Sequence, residues 1–236
     1  MQLDFEVGLI WYGVFLFSTV AHEAAHAWTA SKLGDDTAAR GGQVTINPWP
    51  HVRREPFGMV IVPLLSWLVG GYLIGWASAP FDREWARRNP RSAALMALAG
   101  PAANLLLAIA AAWVIRIGVE WNCFAPPQRL SGFRLVSVTQ PGWPSEFGSV
   151  LSVILSLNLL LCAFNLLPVP PLDGSNAPLL LLPRAAAERY AEALRSPILR
   201  TVGILAAVRL SAPLFQPLLI GVANFILPHS HYRLAP

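Results

Sequence analysis

The sequence predicts an all-α protein that crosses a membrane several times, and three observations carry that prediction. Hydrophobic residues make up 55% of the 236-residue chain, charged residues only 13%, and mean hydropathy is +0.50; an ordinary globular domain carries about 25% charged residues. Long apolar runs recur at 8–30, 57–77, 91–118, 147–167 and 198–227, near or above the roughly 20 residues a helix needs to span a bilayer. The stretches between them are short and rich in Arg, Pro and Gly, which leaves no room for a separate soluble domain. One membrane-embedded domain over 1–236 is expected, with a core at 8–185 and a helical tail at 186–236. The excess of 17 basic over 13 acidic residues, a net +4, is expected to lie in loops facing lipid headgroups, not to bind nucleic acid. Cys123 in a loop and Cys162 in an apolar run form no disulfide framework.

The first apolar run, 8–30, reads as a retained span. The segment before it holds Asp4 and Glu6 and no Lys or Arg, the wrong sign for the start of a signal peptide. Inside the run stands His22-Glu23-Ala24-Ala25-His26. On a helix, residues four apart share a face, so the two imidazoles can grip one metal ion, and Glu23 can reach a water on it. Ionisable residues in a membrane segment are unfavourable without a purpose. A pair of hydrogen-bonded histidines in a buried helix is the structural alternative.

The polar stretch 31–56 carries Lys32, Arg40, Arg53 and Arg54. Gly41-Gly42 followed by Gln43 to Pro48 predicts a turn and a short β-hairpin strand. His51, among Pro50, Arg53 and Arg54, is expected at the surface or behind the metal ligands. The run 57–77 is long enough to span, yet Arg53 and Arg54 precede it and Arg83, Arg87, Arg88 and Arg91 follow. Basic flanks on both sides predict a re-entrant segment that turns near Gly70-Gly71 and comes back. The run 91–118 contains Gly100-Pro101-Ala102-Ala103-Asn104. Small residues permit close helix approach, Pro101 bends or restarts the helix, and Asn104 at membrane depth requires a partner.

Residues 119–146 are expected to form a short, neutral external loop. The run 147–167 leads into Asn165-Leu166-Leu167-Pro168-Val169-Pro170-Pro171-Leu172-Asp173-Gly174, where prolines unwind the backbone. Asp173 is then either the N-cap of the next helix or a third ligand for the metal held by His22 and His26. The segment with Arg184, Arg189, Arg195 and Arg200 suits a basic interfacial helix. The run 198–227, interrupted by Arg209, Pro213 and Pro217, is one kinked span or two short ones. His229 and His231 belong to a terminal tail. With the runs crossing in alternate directions, His22, His26 and Asp173 reach a similar depth near the cytoplasmic face.

Three motifs in order, His22-Glu23-x-x-His26, Gly100-Pro101-x-x-Asn104 and Asn165-x-x-Pro168-x-Pro170-x-Leu172-Asp173-Gly174, resemble those of the site-2 protease family of intramembrane zinc metalloproteases. The resemblance, over about residues 10–185, is to the small bacterial members without PDZ domains. It implies one zinc ion per chain held by His22, His26 and Asp173, with Glu23 as general base. It also implies that Asn165 contacts substrate or its polarised carbonyl and that Asn104 helps shape the substrate cleft. Ser78 and Ser175 depart from the usual pattern at positions that bear on substrate selection and not on chemistry. The implied function is endopeptidase cleavage of transmembrane segments of other proteins, in a bacterial inner membrane, with the active site towards the cytoplasm. A non-catalytic metal-binding membrane protein is the alternative; Glu23 argues against it, because a passive metal site has no use for that carboxylate. A transporter would need more polar residues along several spans.

Overall fold

The structure, a computed structural model, describes residues 5–71, 73–132, 134–139, 145–227 and 232; His229 and His231 lie outside the described residues. Helix α1 (Phe5–Lys32) is followed by two short helices, α2 (Thr37–Arg40) and α3 (Pro48–Arg54), and by the apolar α4 (Phe57–Gly70). Then come α5 (Arg83–Arg88), α6 (Pro90–Glu120), strands β1 (Phe124–Ala125) and β2 (Ser137–Val138), and α7 (Ser145–Asn165). A 3-10 segment, Asp173–Leu180, precedes α8 (Arg184–Ala193) and α9 (Pro197–Ile226). Among the described residues, four helices are long and apolar enough to cross a membrane, namely α1, α6, α7 and α9, and the all-α polytopic architecture follows.

The core is the triad α1, α6 and α7, which pack on one another pairwise. Helix α6 buries Ala93, Ala94, Ala97, Gly100, Ala108 and Ala111, a small-residue face that brings backbones together where lipid offers no hydrophobic driving force. Pro101 does not end α6, which runs unbroken to Glu120. Likewise α9 is one continuous helix with Pro213 and Pro217 inside it. It is seated on the proline loop at Gly203, where any Cβ would run into the Pro170 carbonyl.

The segment 57–77 doubles back on itself, as the return expected from its flanks requires. Gly71, at φ 71°, closes α4 in the left-handed conformation that glycine adopts without penalty. The chain then returns extended, and the Trp76 amide donates to the Gly58 carbonyl at 3.0 Å. At the base, Arg54 Nε donates to the Ser78 carbonyl and the Ser78 hydroxyl to the Glu55 carboxylate, at 3.2 and 2.6 Å. Pro63 lacks the N–H that the Met59 carbonyl would receive in a regular α-helix; the Tyr12 hydroxyl of α1 donates to that carbonyl at 3.2 Å.

The strand expected at 43–48 is not there. Local capping takes its backbone groups: the Gln43 amide donates to Ala38 O, the Asn47 amide to the Thr45 hydroxyl, and the Asn47 side chain accepts from the Trp49 amide as the N-cap of α3. The two-stranded sheet instead lies in the loop after α6, with Phe124 opposite Val138 and Ala125 opposite Ser137. Its following helix holds it down: the Ser152 hydroxyl of α7 accepts from the amides of Leu135 and Val136 at 2.9 and 3.3 Å.

One polar clamp ties the end of α1 to the start of α5. The buried Asp35 carboxylate accepts from the Thr37 amide and hydroxyl and, at 2.8 Å, from the Asp82 amide. Burial pushes the Asp35 carboxyl up, but the donors from Thr37 and Asp82 and the Arg40 charge outweigh it, and its pKa is held below the ordinary value. A carboxylate whose folded pKa is lowered contributes its stability above the unfolded pKa and loses it as pH falls through the folded one. Asp35→Asn is therefore expected to destabilise the protein by about 1–3 kcal/mol at neutral pH, the scale of hydrogen bonds to a charged group. In thermal melts in detergent the gap between wild type and variant should close on acidification below about pH 4; a gap that is constant with pH would contradict the clamp.

Candidate metal centre

Helix α1 supplies two of the site's donors by its periodicity alone. His22 and His26 stand one turn apart, with ring planes at 84° and Nε2 atoms 2.9 Å from each other. The third donor arrives from across the bundle. Helix α7 ends at Asn165, the proline loop turns the chain, and the 3-10 segment begins at Asp173 against α6. The turn is tight enough that a Cβ on Gly174 would overlap the Leu166 backbone. Leu172, not Asp173, occupies the cap position, and no side-chain cap bond is made there. The Asp173 carboxylate reaches instead to the histidines, with Oδ2 3.2 Å from His22 Nε2 and 3.4 Å from His26 Nε2.

The donor chemistry fits a cation. His26 Nδ1 is 2.7 Å from the Met96 carbonyl, which can only accept, so Nδ1 carries the proton and Nε2 presents a lone pair. His22 Nδ1 is 2.6 Å from Asn104 Oδ1 and donates in the same way. Two imidazole lone pairs and a carboxylate oxygen thus converge with edges of 2.9, 3.2 and 3.4 Å. Ligand bonds of 2.0–2.1 Å in a tetrahedral zinc site place donor atoms about 3.3 Å apart. Three donors leave the fourth position open, which is the catalytic pattern and not the structural one. Each histidine's other nitrogen is held by an oxygen acceptor, the usual support for a metal-binding imidazole.

Glu23 lies beside this cluster. It is buried, its donor oxygen is within 4.8 Å of the histidine nitrogens, and Oε2 has no hydrogen-bond partner among the described residues. A buried, orphaned carboxylate oxygen is unfavourable unless something outside the chain engages it. Gly100 of α6 packs against the same cluster; a Cβ there would run into the Nε2 atoms of both His22 and His26.

Other residues singled out from the sequence sit elsewhere. Asn104 is fully buried and bonded to His22, Ser18 and Asn158, so in this structure it orients the His22 ring and presents no exposed surface. Asn165 folds its amide nitrogen back onto the Leu161 carbonyl of its own helix at 3.0 Å. His51 is not at the surface: it is 1% exposed, and its Nε2 lies 3.0 Å from the Thr45 carbonyl, where it braces the loop before α3. Asn158 and Ser18 escaped the sequence analysis. The available signal was the requirement that Asn104 have a partner, together with a second Asn seven residues before Asn165, two turns back on the same face of α7.

Comparison with known proteins agrees with this chemistry. The chain is 34% identical over 160 residues to the Putative zinc metalloprotease YwhC of Bacillus subtilis, covering 67% of this chain and 63% of that protein. It is 28% identical over 166 residues to the Putative zinc metalloprotease Rip2 of Mycolicibacterium smegmatis, covering 69% and 53%, and 30% identical over 160 residues to Rip2 of Mycobacterium tuberculosis, covering 68% and 52%. The matches thus span between about half and under two thirds of these relatives' lengths. No solved structure matches. The family model for peptidase family M50 matches residues 11–208, a stretch that contains both histidines, Glu23, Gly100, Asn104 and Asp173, and the chain belongs to that family.

Proposed function

We propose that this integral membrane protein is an intramembrane zinc endopeptidase that cuts transmembrane segments of other membrane proteins. The observation that carries the proposal is the convergence of three lone-pair donors, from α1 and from the loop after α7, beside the orphaned Glu23 carboxylate. His22, His26 and Asp173 would hold one zinc ion. When bound, the ion supplies Lewis acidity, polarising a peptide carbonyl and acidifying a water.

The chain's own residues do the rest. Glu23 Oε2 accepts a proton from the attacking water and returns it to the leaving amine. Its burial keeps competing donors away, so that proton is the one it can take. Met96 O and Asn104 Oδ1 keep the proton of each imidazole on Nδ1, away from the site. A transmembrane helix hides its peptide bonds in internal hydrogen bonds, so a substrate must unwind before Glu23 can act on it; helix-breaking residues near the cut ease that step. The site lies towards the C-terminal end of α1. Lys32 ends α1, and Arg53, Arg54, Arg83, Arg87, Arg88 and Arg91 follow on the segments after it, an excess that favours the cytoplasmic side of a bacterial cell membrane.

The test is a cleavage assay with the purified full chain, reconstituted with a transmembrane peptide that carries a helix breaker. About one zinc per chain, loss of cleavage on chelation and its return on adding zinc are expected. Cleavage that survives complete zinc removal would refute the proposal.

A further inference from the structure

The tautomer of His22 depends on which end of the Asn104 amide faces it. With Oδ1 towards the ring, Nδ1 must carry the proton and Nε2 is free to bind metal. If the amide were turned over, Nδ2 would face Nδ1 and the imidazole proton would move to Nε2, where the ligand lone pair is required. Something must therefore fix the amide. Two main-chain carbonyls, which can only accept, do so in series. Asn104 Nδ2 donates to the Ser18 carbonyl at 3.4 Å and to Asn158 Oδ1 at 2.8 Å. Asn158 is fixed in turn, because its Nδ2 donates to the Ile154 carbonyl at 2.9 Å and to the Ser18 hydroxyl at 2.8 Å. Turning Asn104 over would set oxygen against oxygen at both the Ser18 carbonyl and Asn158 Oδ1; turning Asn158 over would set oxygen against the Ile154 carbonyl and nitrogen against nitrogen between the two asparagines. Ser18, Asn104 and Asn158 are each 0% exposed, so water cannot rescue a wrong orientation.

We propose that Asn158 of α7, with Ser18 of α1, is a positioning residue of the metal centre: it locks the Asn104 amide and thereby holds His22 in the metal-binding tautomer. The inference rests on His22 being a metal ligand. It explains why a chain of fully buried polar side chains links three helices, and it makes metal affinity depend on the packing of α1, α6 and α7 together. Asn158 touches neither ion nor substrate.

The test is a double-mutant cycle read by zinc affinity, through competition with a chromophoric chelator, and by the absorption bands of the cobalt-substituted protein. Asn158→Leu keeps the branch at Cγ and removes the acceptor for Asn104. It is expected to weaken zinc binding by about 10- to 100-fold, the usual effect of losing support behind a metal ligand. In an Asn104→Ala background the same change should alter affinity by less than about twofold, because the residue it acts through is gone. An unchanged affinity in the single variant, or an equal loss in both backgrounds, would overturn the proposal; a purely structural role predicts the latter. If Asn158→Leu does not fold, Ser18→Ala, which removes only the hydroxyl, decides the matter by the same comparison. His22→Ala distinguishes the two levels: zinc affinity untouched by that change would refute the metal assignment itself, whereas a loss there beside a neutral Asn158→Leu refutes only the positioning role.

Discussion

Glu23→Gln is expected to lower peptide-bond cleavage by about 10²- to 10⁴-fold, the range that general acid–base catalysis contributes, while zinc content stays at one ion per chain. The substitution preserves length and shape on α1 and exchanges a base for an amide that cannot take a proton. On the proposed assignment the ion would remain, because the donors that converge are those of His22, His26 and Asp173 and do not include Glu23. Stability of the metal-free protein should rise, because the change replaces a buried carboxylate, whose Oε2 has no partner among the described residues, by a neutral amide. Metal analysis, a cleavage time course and a thermal melt on the same preparation check all three. Loss of zinc together with activity would make Glu23 a ligand, and retained cleavage would remove it from the chemistry.

Gly100→Ala is expected to weaken zinc binding by about 10- to 100-fold, and cleavage with it. The added methyl would occupy the space of both Nε2 atoms, and overpacking a tight site typically costs about 1–3 kcal/mol, with about 1.4 kcal/mol for each tenfold change in affinity. Helix propensity works the other way, since Ala is better than Gly in a helix by about 1 kcal/mol. The fold should therefore survive while the histidines are pushed out of register. Gly13→Ala is the matched control: it lies on α1 itself, meets nothing within 4 Å, and should leave zinc affinity unchanged. Equal effects of the two substitutions would mean that close approach of α6 to the histidines is not what the glycine provides.

The sequence alone determined much of this protein, and it did so wherever a rule acts within a few residues. Apolar runs of spanning length located α1, α6, α7 and α9. The four-residue spacing set His22 and His26 on one face, three prolines broke the chain before Asp173, and basic residues on both flanks of 57–77 gave a segment that returns. Propensity failed where capping competes with strand pairing: Gln43 to Asn47 has strand-like alternation, but its polar groups close turns and cap α3. What tertiary structure decided lies between residues remote in sequence. Asn104 meets His22 across 82 positions, and Asn158 meets Ser18 across 140. Read locally, Asn104 is only a polar residue at membrane depth, and Asn158 is one more asparagine in an apolar run. Their contacts appear only when three helices close, because the buried Asn104 amide is oriented by acceptors its own segment does not contain, and that orientation leaves His22 Nε2 facing His26 and Asp173.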